Sequence, residues 1–233
     1  TQGDTRYRSV DTLVDGPDSL VRLNALTAYR DVNSGSNGNY STLAVRNGGT
    51  LQAPQLTTLR GVSFELDAES AWPAQLASIT HGRVILQDRS IVFAQLADAT
   101  GTDFVLTDVD GTFPLLATLA EGSLSVTRGQ ASLPTLVDLT RGSLTLDRGQ
   151  VSAPLLSHID GASFRVTGGV TLSLPAAQSY SHAASGDSQH RTWRADGAGS
   201  RIDLGNLTQI NNGANYYSRI IIEAVAGGEI DLR

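Results

Sequence analysis

Two aspartates and an arginine raise the first chemical question. Asp67, Arg83 and Asp103 are polar positions in three short stretches that otherwise alternate with apolar residues. Carboxylates flanking a cation can share proton transfer, one as acid and one as base, while the cation steadies developing charge. On an exposed sheet face that set would suit cleavage of a polysaccharide. The same residues equally fit a solvated strand face on which Arg83 forms an ion pair. A lyase would also want a deprotonating Arg or Lys with a metal site, and only Arg83 qualifies.

A second group lies toward the C-terminal side. Tyr180, His182, His190 and Trp193 fall within "AAQSYSHAASGDSQHRTWRADGAG" (176–199), and Tyr216 and Tyr217 follow in "NNGANYYSR". Aromatic rings stack on the apolar faces of sugars, so these six residues form a candidate ligand-binding set. The competing role for the stretch is a loop that folds back over the molecule with Trp193 as its plug. Two loop histidines are too few for a metal site. Asp108 and Asp110 in "TDVDGT" (107–112) look like the start of a calcium loop, but a third acidic position and a distal Glu are missing. No phosphate-loop, dinucleotide, serine-hydrolase or zinc-protease motif occurs, so no cofactor or metal is expected. Asn39 and Asn206 open N-x-[ST] sequons, which matter only in a glycosylating host.

The bulk composition narrows the partners. A net charge of -6 argues against nucleic acid or an anionic membrane. There is no cysteine, which excludes disulfides and thiolate sites. No run of 18 apolar residues exists to span a membrane as a helix. The chain opens on Thr1 without a leader, so a mature form or an excised piece is expected.

The elements that would position these residues follow from a repeat. "GSLSVTRGQASLPTL" (122–136) returns as "GSLTLDRGQVSAPLL" (142–156), twenty residues later. Adding twenty aligns Phe64, Val84, Phe104, Leu124, Leu144 and Phe164, and two residues on, Leu66, Leu86, Leu106, Val126, Leu146 and Val166. Two more columns are Leu56 to Leu156, and Leu59, Ile79, Ala99, Leu119, Leu139 and Ile159. Pro54, Pro114, Pro134 and Pro154 form a fifth. A one-residue gap between the first two columns is the period-two signature of a strand with one buried face. Proline in the second half and glycine near most rung starts forbid a long helix. Twenty residues leave no room for a crossover helix.

The pattern predicts an all-β fold, a parallel β-helix (β-solenoid) whose rungs stack about 4.8 Å apart. One rung cannot bury its apolar side alone, which is why it must repeat. A leucine-rich-repeat-like solenoid is the alternative, suggested by "LVDLTRGSLTL", although glycine stands where that repeat has asparagine. In the turn column Asp88, Asp108, Arg128 and Arg148, Asp108 is expected over Arg128, a contact worth about 0–1 kcal/mol that disfavours slipped stacks. The mixed column Asp67, Gln87, Thr107, Thr127, Asp147 and Thr167 does not make the flat threonine rows an ice-binding face would need.

The expected organisation is one domain over 1–233, with regular rungs over 50–170, a protruding loop over 176–199, and about nine or ten rungs spanning on the order of 45 Å. Residues 18–29 match 199–210, and 45–54 match 224–233. The last residues stop in mid-rung, so the chain is expected to be a segment of a longer solenoid, or to have neighbouring rungs or domains cover its ends.

"GAGSRIDLGNLTQI" and "VAGGEIDLR", alternating with "GSLTLDRGQVSAPLL", resemble β-helical repeat regions of very large secreted or surface proteins of environmental bacteria. Pectate-lyase-like β-helices share the architecture, but none of their catalytic residues is matched. The resemblance implies an extracellular or cell-surface stalk, adhesin or binding module without catalysis, with glycans or proteins as partners. The competing expectation is a carbohydrate-active enzyme working through Asp67, Arg83 and Asp103.

Overall fold

A computed structural model of the chain describes residues 9–32, 40–71 and 73–233. Ten strands follow one another along the longest sheet, and all their pairings are parallel. The register is the one the columns require. Phe64 pairs Val84, Val84 pairs Phe104, and Phe104 pairs Leu124; Leu66, Leu86, Leu106 and Val126 follow in the same way. All eight are buried because the pleat turns alternate residues inward. This is the parallel β-solenoid expected from the repeat.

Each regular rung carries three extended positions around one core. The strands Ser123–Thr127 and Ser143–Asp147 are followed by Gln130–Ser132 and Gln150–Ser152 on a second side. The third side is a ladder of single bridges, Asp98 to Thr118, Thr118 to Asp138 and Asp138 to His158. With three sides facing one core, the leucine-rich horseshoe does not form. The sole helical element among the described residues is the 3-10 turn His182–Ser185, so no helix there is long and apolar enough to cross a membrane. Buried apolar residues form one cluster from Val14 to Leu207.

Two backbone devices turn the corners. In the first, Leu136 N donates to Leu133 O at 3.3 Å and Leu156 N to Ala153 O at 3.2 Å. Pro134 and Pro154 occupy the second position of these four-residue turns, where a fixed φ is an advantage; this explains the proline column. In the second, a left-handed position precedes most long-sheet strands: Gly61, His81, Gly101, Glu121, Arg141 and Gly161, and before the last two strands Ser188 and Tyr217, have φ between 52° and 66°. Asp88, Asp108, Arg128 and Arg148 are left-handed as well, with φ from 50° to 55°. Non-glycine residues in this region are strained by about 1–2 kcal/mol each, and the stack must overdetermine them. Part of that comes from the expected ladder, in which Arg128 donates to Asp108 at 2.9 and 2.6 Å. Glu121 and Arg141 pair the same way one corner on.

One rung breaks the second side. Elsewhere the ladder there continues through Phe93 N to Thr112 O at 2.8 Å, Phe113 N to Ser132 O at 2.8 Å and Leu133 N to Ser152 O at 2.8 Å. Pro73 occupies the equivalent position and has no N–H to give. The Arg89 guanidinium ties down the turn ahead of Pro73, donating through Nη1 to Asp67 O at 2.8 Å and Ser70 O at 2.9 Å.

The rungs lengthen toward both ends. Leu20 pairs Thr50 and Ala28 pairs Thr58, an offset of about 30 residues; Phe164 pairs Trp193 and Ser179 pairs Gln209 at a similar offset. The expected protruding loop over 176–199 is therefore corrected. Ser179–Ser181 and His190–Asp196 are in-register strands, and the extra length is confined to the corner at 182–189. The corner shifts the apolar phase by nine residues, which hides the continued columns from a fixed step of twenty. The matching N-terminal corner lies mostly outside the described residues, as does Asn39.

Candidate functional site

The outer face of the long sheet does not gather the three charged residues. Arg83 pairs Asp103 in register on the next rung, and Ser63 precedes it. Arg83 is exposed and makes no ion pair among the described residues, while Asp103 accepts from Ser123 Oγ at 2.5 Å. Asp67 lies past the end of Val62–Leu66 and faces the turn that follows. Its carboxylate accepts from Ser70 Oγ at 2.6 Å, Ser70 N at 3.1 Å, Glu69 N at 3.2 Å and Asn47 N. Partial burial pushes its pKa up, but these donors outweigh it and hold the group below the usual carboxylate range. Two carboxylates converging on one point are what acid–base chemistry on a sugar bond needs, and Asp67 and Asp103 do not converge.

Asp67 therefore has a structural job with a testable pH signature. A depressed carboxylate pKa contributes stability above the unfolded value, near 3.9, and loses it as pH falls through the folded value. Asp67→Ala is expected to destabilise the chain by about 1–3 kcal/mol at pH 7, by leaving turn N–H groups unsatisfied. The gap to wild type should narrow below about pH 4. Urea melts across pH check it, and a pH-independent difference would be the contrary result.

Sequence reasoning missed Tyr40 on this face. Its phenol pKa is raised by partial burial and then by the Asp103 carboxylate, against Arg83. Tyr40 thus stands within electrostatic reach of Arg83 and Asp103, although it precedes its strand and occupies no repeat column. Asp108 and Asp110 share an exposed cleft with Asp88, Arg89, Ser90 and Arg128. The Arg128 guanidinium takes the Asp108 carboxylate and holds its pKa below the usual value, so the two aspartates do not form a cation cage. Among the described residues no group of three or more His, Asp or Glu is placed to hold a metal.

The aromatic group splits in two. Tyr180, His182 and Trp193 are no more than 1% exposed and are part of the core, so they correct the expectation of a six-residue binding surface. The Trp193 indole donates to Ala162 O at 3.2 Å and meets the Tyr180 ring edge-on, with centroids 4.9 Å apart. His182 Nε2 lies 3.1 Å from Gln189 O and must donate to it, since a carbonyl only accepts. Its Nδ1 is then free to accept from Tyr180 Oη at 3.2 Å and Ser185 Oγ at 3.3 Å. Arg191 Nε closes the chain onto Ser185 Oγ at 3.3 Å. Burial raises the Tyr180 hydroxyl pKa and keeps it a neutral donor.

The second half faces solvent. Tyr216 is 69% exposed and Tyr217 72%, with their rings edge-to-face at 4.5 Å. They stand on two corner segments, 182–189 and 211–218, stacked like the rungs beneath them. Asn215 Nδ2 donates to Ala183 O at 2.8 Å, Tyr216 N to Asp187 Oδ1 at 2.8 Å, and Ser188 N to Tyr216 O at 2.7 Å. Ser218 Oγ donates to Gly186 O at 2.5 Å. Tyr217 is left-handed at φ 53°, a strained state for a bulky residue. His190 and Arg219 follow as exposed neighbours in register. The buried Tyr180–His182–Trp193 group is thus the support under an exposed shelf of Tyr216, Tyr217, His190 and Arg219. Comparison with protein-family models, curated proteins and solved structures gives no match to this chain.

Proposed function

We propose that this chain is a non-catalytic extracellular solenoid, a stalk or adhesin segment that presents a glycan-binding corner at Tyr216 and Tyr217. The observation that carries the reading is the shelf itself: two adjacent tyrosines about 70% exposed, held by hydrogen-bonded corners. Tyr217 shares its left-handed backbone with the corner residues of other rungs, so the exposure of the two rings carries the reading. Tyrosine offers a flat apolar face and a polar tip, which suits a sugar ring. Secretion, cell-surface placement and a bacterial source rest on the repeat grammar alone. Neighbouring rungs or domains against the ends belong to the same proposal, and partly exposed Ile222, the continuation of the Trp193 column, is the apolar surface they would cover. The separate engagement of Asp67 and Asp103 weighs against the enzyme.

A glycan array followed by Tyr217→Asn tests this. Asparagine tolerates the left-handed backbone, so the variant keeps the fold and loses only the ring. Affinity for any retained glycan is expected to drop about tenfold. Unchanged binding, or no retained glycan, overturns the reading. New reducing or unsaturated sugar ends, lost in Asp103→Asn and Arg83→Gln, would establish the enzyme instead.

A further inference from the structure

We infer that the ligand of this corner is an acidic sugar, one whose ring carries a carboxylate, and that Arg219 holds that carboxylate with His190 beside it. The inference rests on the glycan reading above and adds its chemical class.

The argument is one of placed charge. Several arginines meet carboxylates: Arg128 meets Asp108, Arg141 meets Glu121, Arg194 meets Glu223 and Arg201 meets Asp231, whereas Arg83, Arg165 and Arg219 are exposed without one among the described residues, and of these three Arg219 alone is two residues from the exposed Tyr217. Arg219 is exposed, and among the described residues it has no ion-pair partner. In register with it on the preceding rung is His190, also exposed, so a second ring N–H donor is one rung spacing away, about 4.8 Å. Arg191 follows, with Nε on Ser185 Oγ. Against these stands Asp187, whose Oδ1 faces the loop and accepts from Tyr216 N. In a chain of net charge -6, two cation-capable groups, Arg219 and His190, are exposed in register next to the corner that carries the two rings.

Spacing makes the two features one site. Arg219 is two residues from Tyr217, roughly 7 Å of extended chain. A ring stacked on Tyr217 places its substituents within the reach of an arginine side chain. The planar guanidinium fork matches a carboxylate through two parallel N–H donors, which a neutral hydroxymethyl group cannot accept as well. The shelf therefore separates two tasks: the tyrosines read the ring, and Arg219 reads its charge.

The test compares two ligands that differ only in that charge. Calorimetric titration of the whole chain uses a uronic-acid hexasaccharide and its carboxyl-reduced, neutral counterpart. The acid is expected to bind about tenfold tighter, as a charge-assisted hydrogen bond would give, with the preference shrinking in high salt. In Arg219→Gln the acid should fall to the affinity of the reduced sugar. Arg165→Gln, on another exposed arginine away from the corner, should leave the preference intact and so excludes a general charge effect. Equal affinities in wild type, or a preference that survives Arg219→Gln, overturn the inference. If both sugars bind equally and both depend on Tyr217, the glycan reading stands and only the acidic class falls. If neither binds, both fall.

Discussion

Trp193→Ala is expected to destabilise the chain by about 3–5 kcal/mol, the range for emptying a buried large aromatic site. The indole is fully buried between Phe164, at 5.7 Å between ring centroids, and the edge-on ring of Tyr180. Its removal empties the core at the place where the rungs lengthen from about twenty to about thirty residues. It also leaves Ala162 O without the indole donor. Neighbouring rungs cannot close the hole without breaking register, because each strand is fixed on both sides. Trp193→Phe should lose less, about 1–3 kcal/mol, since the ring is retained and only the N–H and part of the volume go. Urea melts of the two variants against wild type give the comparison. Near-wild-type stability of Trp193→Ala would mean that the indole is not part of the core. A drop in glycan binding seen only once the variant begins to melt would follow from its place under the shelf, whereas a drop in the fully folded variant would make Trp193 a contact residue.

That outcome depends on a distinction the sequence does not display. The regular rungs were legible because every corner between Thr50 and Val170 has the same length, so a fixed step of twenty finds Leu56, Leu59, Phe64 and Leu66 in each copy. Trp193 and Ala195 continue the Phe164 and Val166 columns, but from 29 residues away. An extended corner leaves the inner walls unchanged and only delays them, so a fixed step reads the delay as loss of pattern. The left-handed column was half visible for a related reason. Gly61, Gly101 and Gly161 mark it, while His81, Glu121 and Arg141 hide it, since the ladder tolerates side chains that glycine rules would exclude. The split of the aromatic residues was read only at Trp193, whose role as a plug was one of the two expectations and which is buried. Tyr180 and Tyr216 look alike as letters; one lies on an inner wall, and the other is carried outward by a corner. Asp67 failed as a catalytic candidate because the turn that follows it takes its carboxylate, with Ser70 and Asn47 as donors, a local fold that no column records. Arg219 was overlooked for a related reason. Several arginines are exposed and unpaired, and Arg219 is distinguished only by the exposed rings that its corner brings two residues away.

The middle of the stack should be as sensitive as the end, in a different way. Phe93 and Phe113 occupy one column on successive rungs and stack face to face, 4.1 Å apart and 7° from parallel. Phe104, from the long sheet, meets both edge-on at 5.8 and 5.4 Å. All three are buried, and the Gly111 backbone leaves room for the Phe113 ring, since a Cβ there would lie 3.2 Å from its Cε2. Edge-to-face and stacked pairs add about 0.5–1.5 kcal/mol each beyond area burial, so Phe113→Ala should reach the upper part of the 3–5 kcal/mol range. Phe113→Leu, which copies the residue at Leu133 in the same column, should be markedly milder. The form of the transition distinguishes this site from Trp193. In a solenoid each rung contacts only its neighbours, so stability is a sum of rung and interface terms. A weak interface in the centre separates the chain into two stacks that can melt apart. Phe113→Ala is therefore expected to broaden the urea transition or divide it in two, and to lower its apparent slope, while the milder leucine variant keeps one transition. Hydrogen exchange should then show the amides from Val84 to Leu133 opening first. A single sharp transition, shifted but with unchanged slope, would mean that coupling runs along the whole coil rather than from rung to rung.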